Sequence, residues 1–274
     1  MSADELAQLE PYIRLGSFAA TLTIMVLAEA LWPRRARVRP RIRRWPTNLA
    51  LVGAGSLIAR LLGAAPAPLV AGAAAVWAST HGIGIFNVLA APSLISILAC
   101  IAALDLLVWV QHWAFHRVAW LWPLHRVHHG DRDVDASTAL RFHPAEILLS
   151  ALLKAAAAIF LGAPLVAVIV FEVLLNGCAI FNHANISLPR GAERAIRLVL
   201  VTPDLHRIHH SVRAEEHNSN YGFCLSIWDR LFRTLTRSAG SIEAPLILGL
   251  SDLQDKRPER LSWSLIAPFN WSRP

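Results

Sequence analysis

The sequence predicts an all-α, polytopic membrane helical bundle with a histidine-rich helical cap on its cytoplasmic side. Three observations predict it. The 274 residues are 55% hydrophobic and 16% charged, with a mean hydropathy of +0.44, whereas a soluble domain carries fewer apolar and more charged residues. The apolar residues fall in runs long enough to cross a bilayer. Between and after those runs lie groups of histidines three and four residues apart, a spacing that puts side chains on one face of a helix.

The segment up to Tyr12 is acidic and lacks the basic start of a signal peptide, so the apolar run 15–32 is expected to be a retained first span. Residues 33–44 carry seven arginines. By the positive-inside rule this loop is cytoplasmic and Met1 is outside. A second span is expected over 47–65, with Arg60 reaching toward the far surface. Pro66 and Pro68 end it. The stretch 69–91 is apolar but rich in glycine and proline, and irregular structure on the outer side is expected; His81 lies there, far from the other histidines.

A third span, 92–110, contains Asp105 and delivers the chain to the first histidines. The runs 147–160 and 165–181 are joined by Gly162-Ala163-Pro164, which reads as a tight turn and hence a helical hairpin. Three crossings and a hairpin leave both sets of histidines on one side. Asn220-Tyr221-Gly222 marks a turn, and Trp228, Leu231 and Phe232 share a helical face. The Trp-rich C-terminus is expected along the membrane surface. Three units result: an N-terminal transmembrane region (1–91), a catalytic unit (92–240) and an interfacial tail (241–274).

The net charge of +7 comes almost wholly from arginine. Its densest run lies between two apolar segments, so membrane topology explains it and no nucleic-acid partner is expected. Cys100, Cys178 and Cys224 are scattered and form no C-x-x-C, which excludes a disulfide framework or a zinc ribbon.

Residues 112–129 read HWAFHRVAWLWPLHRVHH, and residues 206–210 read HRIHH. The H-x-x-H-H pattern thus occurs twice, each time with Arg after the first His and an aliphatic residue before the second. Neutral imidazole is the commonest protein metal ligand. His112, His116, His125, His128, His129, His206, His209 and His210, with His183 as a ninth, exceed what one tetrahedral metal can use. The count points to two metals; imidazole suits Zn, Cu, Fe and Ni alike. Asp105 stands seven residues before His112, on nearly the same helical face. A carboxylate inside a span is expensive and marks function, so Asp105 is the candidate catalytic carboxylate, expected to hold an imidazole N–H in place.

With these motifs the chain resembles the fatty acid hydroxylase and sterol desaturase superfamily of membrane di-iron oxygenases. The resemblance rests on the histidine boxes at 112–116, 125–129 and 206–210, and on NYG at 220–222 and WDRLF at 228–232; it covers about 92–235. It implies two iron ions held by the eight box histidines, with zinc as a substitute in purified material. It also implies a lipid substrate taken from the bilayer, O2, and hydroxylation or desaturation as the reaction. His183 matches a position that supplies a ligand in many members. Where some members have a second histidine in that box, this chain has Ser187. His143 and His217 stand outside the shared pattern, as residues that orient a ligand or touch substrate.

Neither a G-x-S-x-G elbow, a Gly-rich phosphate loop nor a dinucleotide fingerprint occurs. Electrons must then come from a separate electron-transfer protein. Arg117, Arg126, Arg132, Arg141 and Arg207 are expected to form a basic surface for an acidic carrier or for lipid head groups. An integral protein of a bacterial inner membrane is expected, with its histidine boxes in the cytoplasm. The alternative is a histidine-rich membrane metal-binding protein or transporter, which would favour ligands spread across the bilayer. A zinc hydrolase would need a carboxylate base beside its ligands, as in H-E-x-x-H, and neither H-x-x-H-H group has one.

Overall fold

The computed structural model describes residues 3–239 and 246–270. Met1 and Trp271, to which the sequence assigned an outer and a surface position, lie outside them. The described residues form helices joined by short loops, with β-bridges but no strand. Helix α1 (Ala3–Leu31) runs into the arginine loop, and α2 (Arg41–Gly63) leaves it. Next come α3 (Ala71–Thr80) and the single turn α4 (Ile85–Val88). Helix α5 (Ser93–Arg117) leads to the short α6 (Trp122–His129). The hairpin is α7 (Pro144–Leu161) and α8 (Leu165–His183). The cap is completed by α9 (Arg190–Ile196), α10 (Pro203–His209), α11 (Ala214–His217), α12 (Ile227–Leu231) and α13 (Leu261–Ile266).

Four helices, α1, α5, α7 and α8, are long and apolar enough to cross a membrane. Helix α2, expected as a further span, is not among them. Its first turns are polar and bury Arg44 and Asn48 against the loop that follows α6, while the Thr47 hydroxyl donates to the Glu259 carbonyl. It then lies along α7, where Gly55 meets Ile147. The stretch expected to be irregular contains α3, packed on α7 through Ala71, Ala74, Ala75 and Ala78. Gly82 and Gly84 and the prolines flank the helix, and Gly72 sits buried in its first turn.

The turn at Gly162 forms the expected hairpin. Gly162 caps α7 in the left-handed region at φ +67°, and Gly84, at φ +99°, touches it. A Cβ on Gly84 would sit 2.1 Å from the Gly162 nitrogen, so neither backbone position tolerates a side chain. This contact brings the chain before α5 to the hairpin tip, so α5 returns toward the open end of the hairpin. Cys100, Leu104 and Val108 of α5 then pack with Ala155, Ala158, Val168 and Phe171 into the apolar core.

At the open end, buried polar ties hold the cap to the bundle. Arg44 donates to both carboxylate oxygens of Asp131 at 2.8 Å and to Asp135 at 2.5 Å. Arg141 donates to the carbonyls of Val127 (2.8 Å) and Pro258 (2.7 Å) and to Asn48 Oδ1 (2.8 Å). Burial pushes the Asp131 carboxyl up, but Arg44 and Arg141 outweigh it and hold Asp131 below its ordinary range. Glu29, fully buried at the end of α1, accepts from the backbone N–H groups of Ala136 (2.7 Å) and Asn185 (2.8 Å). Removing one partner of such a buried ion pair costs about 3–5 kcal/mol because the other charge is stranded. Arg44→Met is therefore expected to lower the unfolding temperature by several degrees, read by scanning fluorimetry in detergent. An unchanged midpoint would show that the clamp contributes nothing.

Candidate metal centre

Four elements converge on one place. Helix α5 supplies His112 and His116, one turn apart. Helix α6 supplies His125, His128 and His129. The last residue of α8 is His183. Helix α10 supplies His206 and His209, with His210 as its C-cap. That short helix is well started: the Thr202 side chain accepts from Leu205 N–H at its N-cap, Pro203 opens its first turn and Asp204 follows. Arg207 points the other way and donates to the carbonyls of Ala184 (3.0 Å) and Ile186 (2.7 Å), fixing the chain just after His183.

All nine histidines singled out in the sequence come together, in two groups. His112, His116, His125, His129 and His209 form one; His128, His183, His206 and His210 form the other. Within each group one ring nitrogen per residue lies within 4.8 Å of all the others. Eight of the nine residues are buried; His116 is half-buried.

Four rings are aimed by a hydrogen bond from Nδ1. His112 donates to the Tyr221 carbonyl (2.7 Å), His125 to Glu146 Oε1 (2.7 Å), His183 to the Ala179 carbonyl (2.6 Å) and His209 to the Ser219 carbonyl (2.7 Å). This fixes the tautomer and turns each Nε2 lone pair inward, the usual arrangement of metal-ligating histidine. Burial holds His125 down to about 3, and burial plus the neighbouring imidazoles hold His128, His129, His206, His209 and His210 well below their ordinary value. The rings are therefore neutral, the form that binds metal.

The donor set fits metal ions. In the four-histidine group, Nε2 of His183 lies 2.9, 3.1 and 3.2 Å from Nε2 of His206, His128 and His210. Its Nδ1 is the donor, so its Nε2 offers a single lone pair, which cannot satisfy three neighbours. A metal with bonds of about 2.1 Å would space adjacent nitrogens by roughly 3 Å. In the five-histidine group, Nε2 of His112, His125 and His209 and both ring nitrogens of His116 and His129 are buried without a partner among the described residues. Five imidazoles exceed the four of a tetrahedral zinc site and suit a metal of higher coordination number.

Other residues fall elsewhere than the sequence suggested. Asp105 accepts from Trp228 Nε1 (2.8 Å) and Leu225 N–H (3.2 Å), while the His112 Nδ1–H goes to Tyr221. Asp105 thus anchors the segment that carries Tyr221 and reaches His112 only through it. Asp229 does the same from α12, accepting from the N–H groups of Tyr221 and Gly222 at 2.8 Å and from Trp109 Nε1 at 3.0 Å. The carboxylate that does touch a boxed imidazole is Glu146, which sequence reasoning missed; its only mark is an acid in the first turn of an apolar helix. His143 caps α7 and bonds the Leu265 carbonyl. His81 stacks on Trp77, and Ser187 is exposed. Of the arginines expected at the surface, Arg126, Arg141 and Arg207 are buried as ties within the cap.

A family model described as fatty acid hydroxylase matches residues 97–234, which include all nine histidines. The chain is 32% identical over 127 residues to an ornithine lipid hydroxylase of Rhizobium tropici, a match covering 46% of this chain and 38% of that one. It is 32% identical over 124 residues to alkylglycerol monooxygenase of Homo sapiens, covering 45% and 26%. It is 28% identical over 138 residues to a cholesterol 25-hydroxylase-like protein of Danio rerio, covering 50% and 54%. The chain thus spans well under two thirds of the length of these relatives. No solved structure matches it significantly.

The grouping predicts how metal is lost. His128→Ala and His209→Ala fall in different groups, so each is expected to remove about one of two ions, counted by elemental analysis of purified protein. Full metal in both variants would rule the grouping out. Glu146→Gln should keep the fold while weakening metal affinity about 10- to 100-fold, read by competition with a chelator.

Proposed function

We propose a reaction for this chain from two facts: it belongs to the fatty acid hydroxylase family, and its boxed histidines form one group of five and one of four at the end of apolar helices. It is a membrane oxidoreductase that hydroxylates a lipid, with His112, His116, His125, His129 and His209 holding one iron and His128, His183, His206 and His210 the other. The grouping is the observation that carries this reading. The balance is one lipid C–H, one O2, two electrons and two protons in, and one alcohol and one water out. Bound iron supplies the activation of O2 and the breaking of an unactivated C–H bond, chemistry that side chains lack.

The chain's own residues bind, orient and exclude water. Phe223 packs against His112 at 5.0 Å and joins the apolar core below; Phe142 stacks on His128 at 4.4 Å. These two rings give the side facing the spans an apolar wall, which suits an acyl or alkyl chain arriving from the bilayer and keeps water out. Glu146 and the carbonyls of Ala179, Ser219 and Tyr221 hold their imidazole N–H groups and keep the rings aimed.

The electrons come from a separate carrier. A cavity of about 890 Å3 on the cap is lined by Arg34, Arg35, Arg132, Arg197, Arg207 and Arg237 against Glu193 and Asp204. Its wall includes Ile208 of α10, whose neighbours His206 and His209 belong to the two groups. This basic surface suits an acidic protein, and by the positive-inside rule it belongs in the cytoplasm.

The alternative readings have less support. A transporter would favour ligands along the bilayer, and all nine lie together. A zinc hydrolase needs a carboxylate free to act as a base, and Glu146 is engaged by His125. The reading predicts that iron-loaded protein with O2, a reductant, a carrier and membrane lipids adds one oxygen to a lipid, seen by mass spectrometry with heavy-isotope O2. A product that instead loses two hydrogens would assign desaturation. No labelled oxygen and no new double bond in any lipid class would sink the oxygenase reading.

A further inference from the structure

The five-histidine group borders a cavity at His116. Both ring nitrogens of His116 are buried, but the residue is only half-buried as a whole and lines a cavity of about 640 Å3 with mixed polar and apolar walls. Trp122 and His217, stacked at a ring separation of 5.6 Å, form the rest of its inner wall, with ring centres 5.0 and 6.0 Å from that of His116. The outer wall includes Asp252, Trp263 and Asn270. Close by in the chain, Trp120, Ile266 and Phe269 are exposed. Exposed tryptophan favours the membrane–water boundary. A cavity near Trp120 in the chain suits the depth of lipid head groups, and a histidine of the centre lines it.

Its charges are already matched. Arg126 pairs with Asp252, and Arg257 pairs with Asp255 and donates to the Asp252 carbonyl. In the arginine-lined cavity beyond α10, Arg34, Arg35, Arg197 and Arg207 are also ion-paired, but six arginines line it with only two acids, and a phosphate would be drawn to that cationic excess. Beside His116 the hydrogen-bonding groups are largely neutral: the His217 ring and the amides of Asn218 and Asn270. Nδ1 of His217 is buried and meets no hydrogen-bond partner among the described residues.

We propose that this cavity receives the polar end of the lipid substrate, that this end is an uncharged hydroxyl- or amide-bearing head, and that His217 and Asn218 contact it. The proposal rests on the lipid hydroxylase reading and adds where the substrate is held. It also sets which carbon reacts. From the cavity the apolar chain passes His116 and His112 toward Phe223 and the core. One turn of α5, about 5 Å, separates the two histidines, so the reacting carbon lies within about four bonds of the head.

Photolabelling tests the site without turnover. The probe is a 1-O-alkylglycerol with a diazirine next to the glycerol, bound to purified protein in lipid nanodiscs and mapped by peptide mass spectrometry. Labels are expected on residues 214–218 and 250–270. Excess unlabelled alkylglycerol should displace them, and the same lipid bearing a glycerol phosphate should compete about tenfold less well, as expected where no charge partner awaits it. His217→Ala should cut labelling about tenfold, the effect of one lost hydrogen-bonding group, and His217→Gln should restore part of it; unchanged unfolding temperatures exclude misfolding. Labels centred on the arginine cavity, or stronger competition by the phosphate lipid, would overturn the proposal. With iron, carrier and heavy O2, fragment ions should place the new oxygen within about four bonds of the glycerol; oxygen in the distal half of the chain would overturn it as well. If no oxygen enters any product, the hydroxylase reading fails, and the labelling pattern alone still decides the head site.

Discussion

Nine neutral imidazoles facing one another in a buried space impose the strictest condition on this fold. A buried, unpaired polar nitrogen costs about 1–3 kcal/mol, and here many meet only each other. Protonation offers no relief, because burial and the neighbouring rings hold the cap histidines neutral. A cation among the lone pairs removes the difficulty at once. The surroundings hold the rings in the orientation such a cation would need. Glu146, the Ala179 carbonyl and the Ser219 and Tyr221 carbonyls come from three separate parts of the chain, and each group fixes one ring.

Holding those acceptors in place requires a second set of ties. The segment carrying Ser219 and Tyr221 has little regular structure, and buried carboxylates shape it instead. Asp229 gathers the N–H groups of Tyr221 and Gly222, and Asp105 gathers Leu225 and Trp228 from α5. On the opposite flank Arg44, Asp131 and Asp135 pin the loop after α6, and Glu29 links that loop to the chain leaving α8. These groups touch no boxed ring, yet each sets the position of a segment that carries or orients one. Such buried charges are tolerable because each is met by an opposite charge or by backbone N–H groups.

The sequence made the centre legible because ligand spacing is local. Histidines three and four apart share a helical face wherever the helix goes, and Gly162-Ala163-Pro164 marks the hairpin by backbone chemistry alone. What it hid depends on contacts between distant residues. Asp105 shares a helical face with His112, but two turns separate them by about 10 Å, and its carboxylate meets Trp228 instead. Glu146 looks like an ordinary first-turn acid, and its partner His125 lies on another helix. Arg126, Arg141 and Arg207 read as surface because arginine is rarely buried; carbonyls inside the cap and the exposed carboxylate of Asp252 make their burial possible. The glycines and prolines around α3 punctuate its ends, a distinction that composition cannot draw.

The two groups differ in access, and that difference suits the proposed reaction. All four histidines around His183 are buried, whereas the five around His125 include half-buried His116. Sites that only hold a metal are closed, and sites that react keep an open side. Restricted access also answers a conflict built into the proposed chemistry. Water must be kept from an oxidising centre, yet O2 and substrate must reach it. Phe142 and Phe223 give the side facing the spans an apolar surface, and Trp122 and His217 wall the cavity beside His116. The basic cavity backs onto α10, next to the closed group. In the proposed reaction, a carrier at the basic cavity and a lipid beside His116 would use different faces, so neither would block the other.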